Sequence, residues 1–430
     1  MSDPVLSRRV ALAILGACLD KGQPLDDALA RHPGFPGLDP RDRAFVRLLL
    51  ATTLRRLGEI EEVLSYLVER PLEGPNAAGR QVLRLGAAQL LFLGTPPHAA
   101  VDTSVRLVVD AGLPHIKGLV NAVLRRIARD GVALLGDRDP ARLNTPQWLW
   151  ERWAESYGEE TTRAIAAAHL IEAPLDLTAR SNTDFWAGQL NGTVLPTGTI
   201  RREPGGNIAE LPGFAEGAWW VQDAAASLPV RLLGDIAGQR VADLCAAPGG
   251  KTLQLAAAGA RVTAVDISAR RMARVGENLA RAGLSAELVT ADAAKWTPAE
   301  PFDAILLDAP CSGTGTLRRH PDIAWLKDEE DVGRLTLTQD RLLVRAVELL
   351  KPGATLVYAV CSLQDDEGPA RIEALLGRTR WMRRDPVMPR ELRGLEEAIT
   401  PKGDVRTLPS MWADRGGLDG FYIARLRKAQ

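Results

Sequence analysis

Three side chains in the C-terminal half of the chain have types and positions suited to covalent chemistry. Asp308 and Cys311 lie in LLDAPCSGTG, and Cys361 lies in YAVCS. Each cysteine follows a short apolar run that predicts a buried strand. If the two strands are neighbours in a sheet, they lie about 4.8 Å apart, so both thiols would enter one pocket. A single cysteine is most often an inert buried thiol. Two of them beside a carboxyl group and a Gly-rich turn favour a reactive site.

A second group of residues is suited to holding a nucleoside. The string DLCAAPGGKT, from Asp243 to Thr252, contains a Pro-Gly-Gly turn that brings backbone N–H groups and a helix N-terminus close to a ligand. GxGxxG is absent, and Cys245 stands where a Walker A loop needs Gly, which disfavours dinucleotide and phosphate binding. Asp266 ends the next strand, where it could accept hydrogen bonds from both ribose hydroxyls, and Asp292 follows the third strand near an adenine edge. A helix cap is the alternative role for either aspartate.

A nucleoside cofactor beside two thiols and a carboxyl group matches what methyl transfer to an aromatic carbon requires. The methyl group of S-adenosylmethionine is electrophilic, so oxygen or nitrogen acceptors need little more than orientation and proton removal. C5 of a pyrimidine becomes nucleophilic only after a thiolate adds to C6, with help from a carboxyl group at N3. A further group then assists removal of the C5 proton. One aspartate and two cysteines fit this scheme, and their spacing leaves open which cysteine attacks.

The elements that must position these residues predict three domains. Residues 1–138 show helical spacing of apolar residues between Pro- and Gly-rich turns, which predicts an all-α bundle. Residues 139–225 are rich in Trp and Pro with short β-like pieces, which predicts a small α+β connecting domain. Residues 226–430 repeat strand, turn and helix. This pattern predicts a parallel α/β sheet, closed by an antiparallel pair formed by WMRRDPVM and GFYIARLRK.

Composition sets the broad class of the protein. With 430 residues, 46% hydrophobic and 25% charged, the chain is typical of a multidomain globular protein. No apolar run has the length of a membrane span, and the N-terminus lacks a signal-peptide pattern, so we expect a cytoplasmic protein. The net charge of −1 means that any nucleic-acid site must be a local patch. The four cysteines lack zinc-ligand spacing, so we expect free thiols and no metal. We also expect a monomer.

Taken together, the motifs resemble the RNA cytosine-5 methyltransferase family, and within it the RsmB (Sun/Fmu) subgroup. The specific strings are DLCAAPGGKT, VDIS with RM at 271–272, LLDAPCSGTG followed by RRHPDI, and YAVCS. In the N-terminal region, DRAFVRLLL, LRLGAAQLLFLGTPPHAAV and GLVNAVLRR are similar to the NusB-like helical domain of that subgroup. The resemblance covers nearly the whole chain. It implies a class I, Rossmann-like methyltransferase domain with a NusB-like RNA-binding bundle, S-adenosylmethionine as cofactor and 16S ribosomal RNA as substrate.

The resemblance also implies roles for individual residues. Cys361 would be the nucleophile, Cys311 would assist product release, and Asp308 would complete the catalytic group. The implied cofactor contacts are Cys245, Ala246, Ala247, Pro248, Gly249, Gly250, Lys251, Asp266, Asp292 and Asp308. One position departs from the family pattern, because Val360 stands where a Thr usually precedes the nucleophile. The expected consequence is altered loop hydrogen bonding with the thiol retained.

The basic loop after the first cysteine predicts contact with RNA. Arg318, Arg319 and His320 would hold phosphates at the mouth of the pocket, and a solvated loop is the alternative. Two other functions stay open at this point. The same chemistry could act on transfer RNA or DNA, or the chain could be a non-catalytic NusB-like RNA-binding factor. The intact aspartate and cysteine pair argue against the second of these.

Overall fold

Helices alone fill the N-terminal third of the chain, and strands alternate with helices through the rest. The computed structural model describes residues 4–430. The helices are α1 (Pro4–Leu19), α2 (Leu25–Arg31), α3 (Pro40–Arg55), α4 (Leu57–Leu67), α5 (Ala77–Leu91), α6 (Pro97–Asp110), α7 (Lys117–Leu135), α8 (Pro140–Leu143), α9 (Gln147–Tyr157), α10 (Glu159–His169), α11 (Thr183–Gln189), α12 (Leu228–Arg231), α13 (Gly250–Ala257), α14 (Ala269–Ala282), α15 (Ile323–Leu326), α16 (Glu329–Leu349) and α17 (Pro369–Arg378). The strands are β1 (Leu175–Ala179), β2 (Thr193–Val194), β3 (Ile200–Arg202), β4 (Trp219–Val221), β5 (Arg240–Leu244), β6 (Arg261–Asp266), β7 (Glu287–Thr290), β8 (Phe302–Asp308), β9 (Leu350–Val360), β10 (Met382–Arg384), β11 (Val405–Thr407) and β12 (Phe421–Lys428).

These elements form two compact units. The helical unit is the described part of Met1–Leu170 together with Leu317–Lys327, and the α/β unit is Ile171–Thr316 with Asp328–Gln430. The region 139–225, predicted as one connecting domain, contributes to both, because α8 to α10 belong to the helical unit and β1 to β4 to the α/β unit. The three-domain division stays a prediction.

The helical unit confirms the predicted all-α bundle. In α7, the buried side chains Val120, Val123, Leu124 and Ile127 follow the i, i+3, i+4, i+7 spacing of an amphipathic helix facing a core. Trp325 of α15 packs against the same core and donates a 2.8 Å hydrogen bond from Nε1 to the Leu54 carbonyl. A short segment that the chain inserts from the middle of the other unit's sequence is therefore part of this bundle.

The α/β unit contains two sheets. The smaller is antiparallel with strand order β2-β3-β1-β4, and it includes the predicted strands PLDLTAR and AWWVQD. The larger has the order β10-β12-β9-β8-β5-β6-β7, with β11 also paired to β12. Strands β5 to β9 are mutually parallel, whereas β12 runs antiparallel to both β9 and β10. The predicted parallel sheet and its closing antiparallel strands are confirmed.

Both faces of the large sheet are covered, as a central parallel strand requires. Along β8, Ile305 and Leu307 pack in one apolar cluster, and the alternate residues Ala304 and Leu306 pack in another. Because the parallel strands all end at the same edge, the residues that follow β5 to β9 are gathered along that edge. This is the edge at which the sequence places its candidate chemistry.

Candidate active site

The two thiols predicted to share a pocket lie in contact. Strands β8 and β9 are neighbours with Asp308 opposite Ala359, and the amide of Ala309 donates to the Ala359 carbonyl at 2.9 Å. The chain then turns so that the Sγ atoms of Cys311 and Cys361 are 3.4 Å apart. Both residues are partly buried. Two sulfurs at this distance can share one proton, which neither could do in isolation.

A close backbone approach holds the loop after Cys311 against the rest of the unit. The Gly315 amide donates to the Cys361 carbonyl at 3.0 Å, and the Gly420 amide donates to the Gly315 carbonyl at 2.8 Å. A Cβ added to Gly315 would lie 1.9 Å from the Gly420 carbonyl oxygen. The second glycine of the SGTG string is therefore required sterically.

The environment of Cys311 favours its neutral thiol. Its hydrogen bond to Cys361 and its burial raise its pKa well above the usual cysteine value, with a smaller contribution from the charge of Glu367. A proton retained on Cys311 is available to the sulfur of Cys361. Within this pair, Cys311 is thus suited to act as the donor and Cys361 as the acceptor.

The third member of the predicted catalytic group, Asp308, is paired with Lys251. This lysine belongs to DLCAAPGGKT, residues 243–252, which is called the cofactor loop because a cofactor is predicted to bind there. Its Oδ2 accepts a 2.7 Å hydrogen bond from Nζ of Lys251, which also lies 5.3 Å from the centre of the Phe421 ring. Burial alone would lower the pKa of Lys251, but the charge and hydrogen bond of Asp308, with a smaller effect of Cys361, raise it above the usual lysine value. The lysine is therefore an ammonium ion beside both a carboxylate and the thiol pair.

The loop DLCAAPGGKT has the predicted form of a tight turn leading into a helix. Cys245 and Gly249 have φ angles of 65° and 104°, and α13 begins at Gly250. Ala246 is buried, Ala247 is partly buried and Pro248 is exposed. Burial and the neighbouring Asp266 raise the pKa of the Cys245 thiol, so this third cysteine of the edge is an unreactive neutral thiol.

Asp266 lies at the end of β6 as predicted, and its carboxylate is already bonded. Oδ1 accepts from the Ser268 amide at 2.9 Å and from Nη2 of Arg271 at 2.8 Å, and Oδ2 accepts from the Ala247 amide at 3.2 Å. The side chain is 1% exposed. Asp266 thus holds the cofactor loop to its own strand end, and a ligand hydroxyl would have to share or replace one of these donors.

Asp292 is held by fewer hydrogen bonds than Asp266 and is more exposed. Its Oδ1 accepts a 3.0 Å hydrogen bond from the Ala294 amide, two residues on, and Nζ of Lys295 lies 3.9 Å from Oδ2. This arrangement is the local capping role that the sequence left as the alternative. Its partly exposed carboxylate nevertheless lies at the same edge, after β7.

The structure corrects the prediction for Arg318. Its side chain is 2% exposed, lies near His169 and Arg55, and its carbonyl accepts a 2.9 Å hydrogen bond from Nη2 of Arg55. Burial and these two arginines lower the pKa of His169 to about 3. Arg318 is therefore an interior residue of the helical unit, because its segment packs with the bundle. This position does not match the surface contact with phosphate predicted for it.

The other two residues of the basic loop have accessible side chains. Arg319 is exposed, and His320 is partly exposed with Nδ1 3.6 Å from Oδ2 of Asp26. Next to them, Asp322 is buried and accepts a 2.9 Å hydrogen bond from the Leu25 amide at the start of α2. Of the predicted RNA contacts, Arg319 and His320 retain the exposure that such a role needs.

Two buried carboxyl groups were not singled out from the sequence. Asp243, the penultimate residue of β5, accepts a 2.6 Å hydrogen bond from Oγ1 of Thr252, and burial raises its pKa to about 7. Glu367 accepts hydrogen bonds from Ser312 and Ser362, the residues that follow the two cysteines. The signal for Asp243 was its place in DLCAAPGGKT. For Glu367 the chain offered only a third acidic residue in DDE, which is normally a solvated turn.

Val360, which stands where the family usually has Thr, packs within the apolar core. Val360 is fully buried in an apolar cluster on β9, with Tyr422 of β12 opposite it in the sheet. A methyl group suits this position, since a hydroxyl there would need a buried partner. The thiol of Cys361 is retained one residue later.

The part of the chain that the structure describes contains neither a candidate metal site nor a helix that could span a membrane. Within residues 4–430, no cluster of three or more His, Cys, Asp or Glu side chains is arranged to bind a metal ion. Over the same residues, none of the helices combines the length and apolar character that crossing a bilayer requires. All four cysteines are free thiols, as expected.

Two family models match the chain, one in each part. Residues 6–129 match the NusB family, and residues 230–427 match a family described as 16S rRNA methyltransferase RsmB/F. The second match contains every residue of the thiol pair, the cofactor loop and the strand-end aspartates.

Individual proteins resemble the chain over most of its length. A ribosomal RNA small subunit methyltransferase B from Klebsiella pneumoniae is 38% identical, over 86% of this chain and 90% of the relative. The protein of the same name from Salmonella arizonae is 35% identical over 98% of both chains. Among solved structures, the one titled crystal structure of PH0851 has a TM-score of 0.77 over 100% of both chains, at 22% identity, which supports the fold alone.

Proposed function

Since the chain belongs to the ribosomal RNA small subunit methyltransferase B family, we propose that it methylates C5 of a cytosine in 16S ribosomal RNA through a covalent adduct with Cys361. The family makes it an rRNA methyltransferase. The carbon acceptor and the covalent step are supported by one observation above all, the 3.4 Å contact between the sulfurs of Cys361 and Cys311. Methyl transfer to oxygen or nitrogen has no use for two thiols.

The residues at the strand ends fit S-adenosylmethionine as cofactor, which supplies an electrophilic methyl group. Its ribose hydroxyls and its cationic centres are complementary to carboxylates, and Asp266, Asp292 and Asp308 follow three strands of one sheet edge. Ile267, beside Asp266, is 68% exposed and presents an apolar surface suited to an aromatic base. Asp266 would bind the ribose hydroxyls, and the backbone at the start of α13 would help to hold the cofactor.

The first covalent step falls to Cys361. Its thiolate forms a bond to C6 of the cytosine, and the electron density displaced from the C5–C6 double bond makes C5 nucleophilic. Stabilising that density at N3 requires a proton, which the ammonium group of Lys251, 2.7 Å from Oδ2 of Asp308, can pass to N3 through this carboxyl group. The Cys311 thiol, whose pKa is raised, retains its proton and can direct it toward the sulfur of Cys361, 3.4 Å away.

Release requires loss of the C5 proton and cleavage of the C6–sulfur bond. When Cys361 is bonded to C6, it no longer carries the negative charge that helps to hold the proton on Cys311. Cys311 can then release its proton to solvent, and its thiolate can take the proton from C5. The C5–C6 double bond re-forms as N3 returns its proton and the sulfur of Cys361 leaves as a thiolate, while Cys311 is again a thiol.

A paired cytosine would be inaccessible to this pair of thiols. Both cysteines lie in the loops that follow β8 and β9 and are partly buried, so the base must leave its stack to reach Cys361. A loop or an exposed single-stranded nucleotide lowers that cost. The NusB-like helical unit offers a further surface that a structured RNA can contact.

The proposal is tested by methyl transfer from labelled S-adenosylmethionine to purified 16S rRNA, with transfer RNA and double-stranded DNA as parallel substrates. Bisulfite sequencing of the product locates 5-methylcytosine. We expect label in 16S rRNA at one cytosine. Label found only in transfer RNA or only in DNA would show that this nucleic acid, and not 16S rRNA, is the substrate. RNA binding without any label would instead support a non-catalytic role.

A further inference from the structure

Glu367 links the two loops that carry the reactive thiols. Its Oε1 accepts from the Ser312 amide at 2.8 Å, and its Oε2 accepts from the hydroxyls of Ser312 and Ser362, each at 2.5 Å. Ser312 follows Cys311 and Ser362 follows Cys361. One carboxylate therefore receives hydrogen bonds from the neighbours of both sulfurs, although the two loops are 50 residues apart in the chain.

The carboxylate is fully enclosed. Glu367 is 0% exposed, and Nε2 of Gln339, from α16, donates to Oε1 at 3.1 Å while also donating to the Pro310 carbonyl at 2.9 Å. A buried carboxylate that accepts several charge-assisted hydrogen bonds holds its donors more firmly than neutral acceptors do. Solvent is excluded from competing for these bonds, so the geometry of the donors depends on this one acceptor.

The backbone around Glu367 is also secured to the strand that carries Cys361. The hydroxyl of Tyr358 donates to the Glu367 carbonyl at 2.6 Å. On the other side of the link, Oγ1 of Thr314 accepts from the Leu363 amide at 3.0 Å. Glu367 thus stands at the centre of a small network that joins β9, the loop after β8 and α16.

We propose that Glu367 is a positioning residue that sets the separation of the Cys311 and Cys361 sulfurs. Its side chain accepts hydrogen bonds from the serines next to both sulfurs, so it positions the thiols through those serines. This inference rests on the proposed function, because the distance between the two thiols matters for catalysis only if the reaction uses both of them. Its geometry can be measured without any RNA.

A trivalent arsenical provides that measurement. Phenylarsine oxide reacts with two adjacent thiols to form two arsenic–sulfur bonds, and its oxygen leaves as water with the two thiol protons. In the full-length protein, Cys311→Ser should abolish chelation and identify the pair as the site. We expect Glu367→Ala to weaken arsenical binding by about tenfold or more, since it removes the shared acceptor of both loops. Glu367→Gln keeps the shape and one acceptor oxygen, and it should restore part of that affinity.

Glu373→Gln is the matched control. Glu373 lies six residues later on α17, where its carboxylate is 47% exposed in ion pairs with Lys402 and Arg384, and its removal should leave arsenical binding and turnover unchanged. For Glu367→Gln, kcat should fall while the Kd for S-adenosylmethionine and the KM for RNA stay near wild type. A lower kcat with unchanged binding constants distinguishes misplaced thiols from a misfolded protein. An unchanged Kd for S-adenosylmethionine shows that the α/β unit is folded.

The outcomes distinguish this inference from the proposed function. Arsenical affinity equal to wild type in both Glu367 variants would overturn the positioning role, even if turnover is lost. Weakened chelation in Glu367→Gln with normal cofactor binding supports it. If chelation is weakened but the wild-type protein methylates no RNA, Glu367 still controls the separation of the two sulfurs, and the proposed function is wrong.

Discussion

The two halves of the reactive edge are built differently. On the cofactor side, after β5 and β6, Asp266 is bonded to amides at positions 247 and 268 and to Arg271, all within the two adjacent strand–turn–helix units. On the thiol side, after β8 and β9, Cys311 and Cys361 meet across 50 residues, and Glu367 joins their loops. The cofactor side is thus organised mainly by local bonds. The thiol side depends on sheet order and on one buried acceptor.

This difference predicts how each side fails. Removal of a group on the cofactor side should weaken ligand binding in proportion to the hydrogen bonds lost. Removal of a group on the thiol side should stop or stall a step, because each thiol has a separate role in the proposed reaction. Lys251 belongs to α13 on the cofactor side but is bonded to Asp308 on the thiol side, and it joins the two.

The largest expected effect comes from the thiols themselves. Cys361→Ala should reduce turnover by a factor on the order of 10³ or more and leave no covalent RNA complex, because no adduct at C6 can form. Cys311→Ala should form the adduct and stall before release. It should therefore accumulate a protein–RNA species that survives denaturing gel electrophoresis.

The two alanine variants also test the assignment of roles. If Cys361→Ala traps RNA and Cys311→Ala does not, the nucleophile is Cys311. Cys18→Ala is the control, because that thiol is buried in the helical unit and should affect neither turnover nor trapping.

The next effect concerns cofactor affinity. Asp266→Ala should weaken S-adenosylmethionine binding about 10- to 100-fold, since each hydrogen bond to a charged acceptor contributes roughly 1.5–3 kcal/mol. Isothermal titration calorimetry measures the change. Asp292→Ala should cost less, because its carboxylate already caps a local turn. Equal losses for the two variants would contradict the stronger role given to Asp266.

The lysine that joins the two sides should matter for stability. Lys251→Met leaves the partly exposed carboxylate of Asp308 without its 2.7 Å partner and should lower the free energy of unfolding by about 2 kcal/mol. Lys295→Met is the matched control, because that lysine is 83% exposed and 3.9 Å from Asp292. Its change should stay within about 0.5 kcal/mol in the same urea titration.

The smallest effect is a pH-dependent shift in melting temperature. Burial raises the pKa of Asp243 to about 7, whereas the unfolded chain titrates this group near 4. Between these values the folded protein holds a proton that the unfolded chain releases, so stability falls as pH rises and levels off above pH 7. Asp243→Asn cannot titrate, so the variant should not lose stability through this group as pH rises.

The Tm of Asp243→Asn relative to wild type should therefore increase by a few degrees between pH 5 and pH 7.5. Differential scanning calorimetry at both values measures the shift. Asp184→Asn, at an exposed position, should show the same difference from wild type at each pH. A parallel change in both variants would mean that Asp243 is not the group responsible.

Much of the architecture could be predicted because the relevant signals are local. Helical spacing such as that of Val120 to Ile127 predicts the bundle, and each strand from β5 to β9 carries its own apolar run and following turn. The place of Asp266 also followed from a local pattern, one strand after the glycine turn. The resemblance of the motifs to a known family supplied the roles of the two cysteines.

What the sequence by itself determined, then, was which elements form, at which edge the chemistry lies and which side chains carry it. Only the tertiary structure decided which distant residues meet. It placed the segment containing Arg318 in the helical unit and buried that arginine, and it turned Glu367 from an apparent solvated acid into a shared acceptor. The physical reason is that burial and long-range hydrogen bonding depend on packing between segments far apart in the chain, whereas strand, turn and helix patterns depend on neighbours a few residues away.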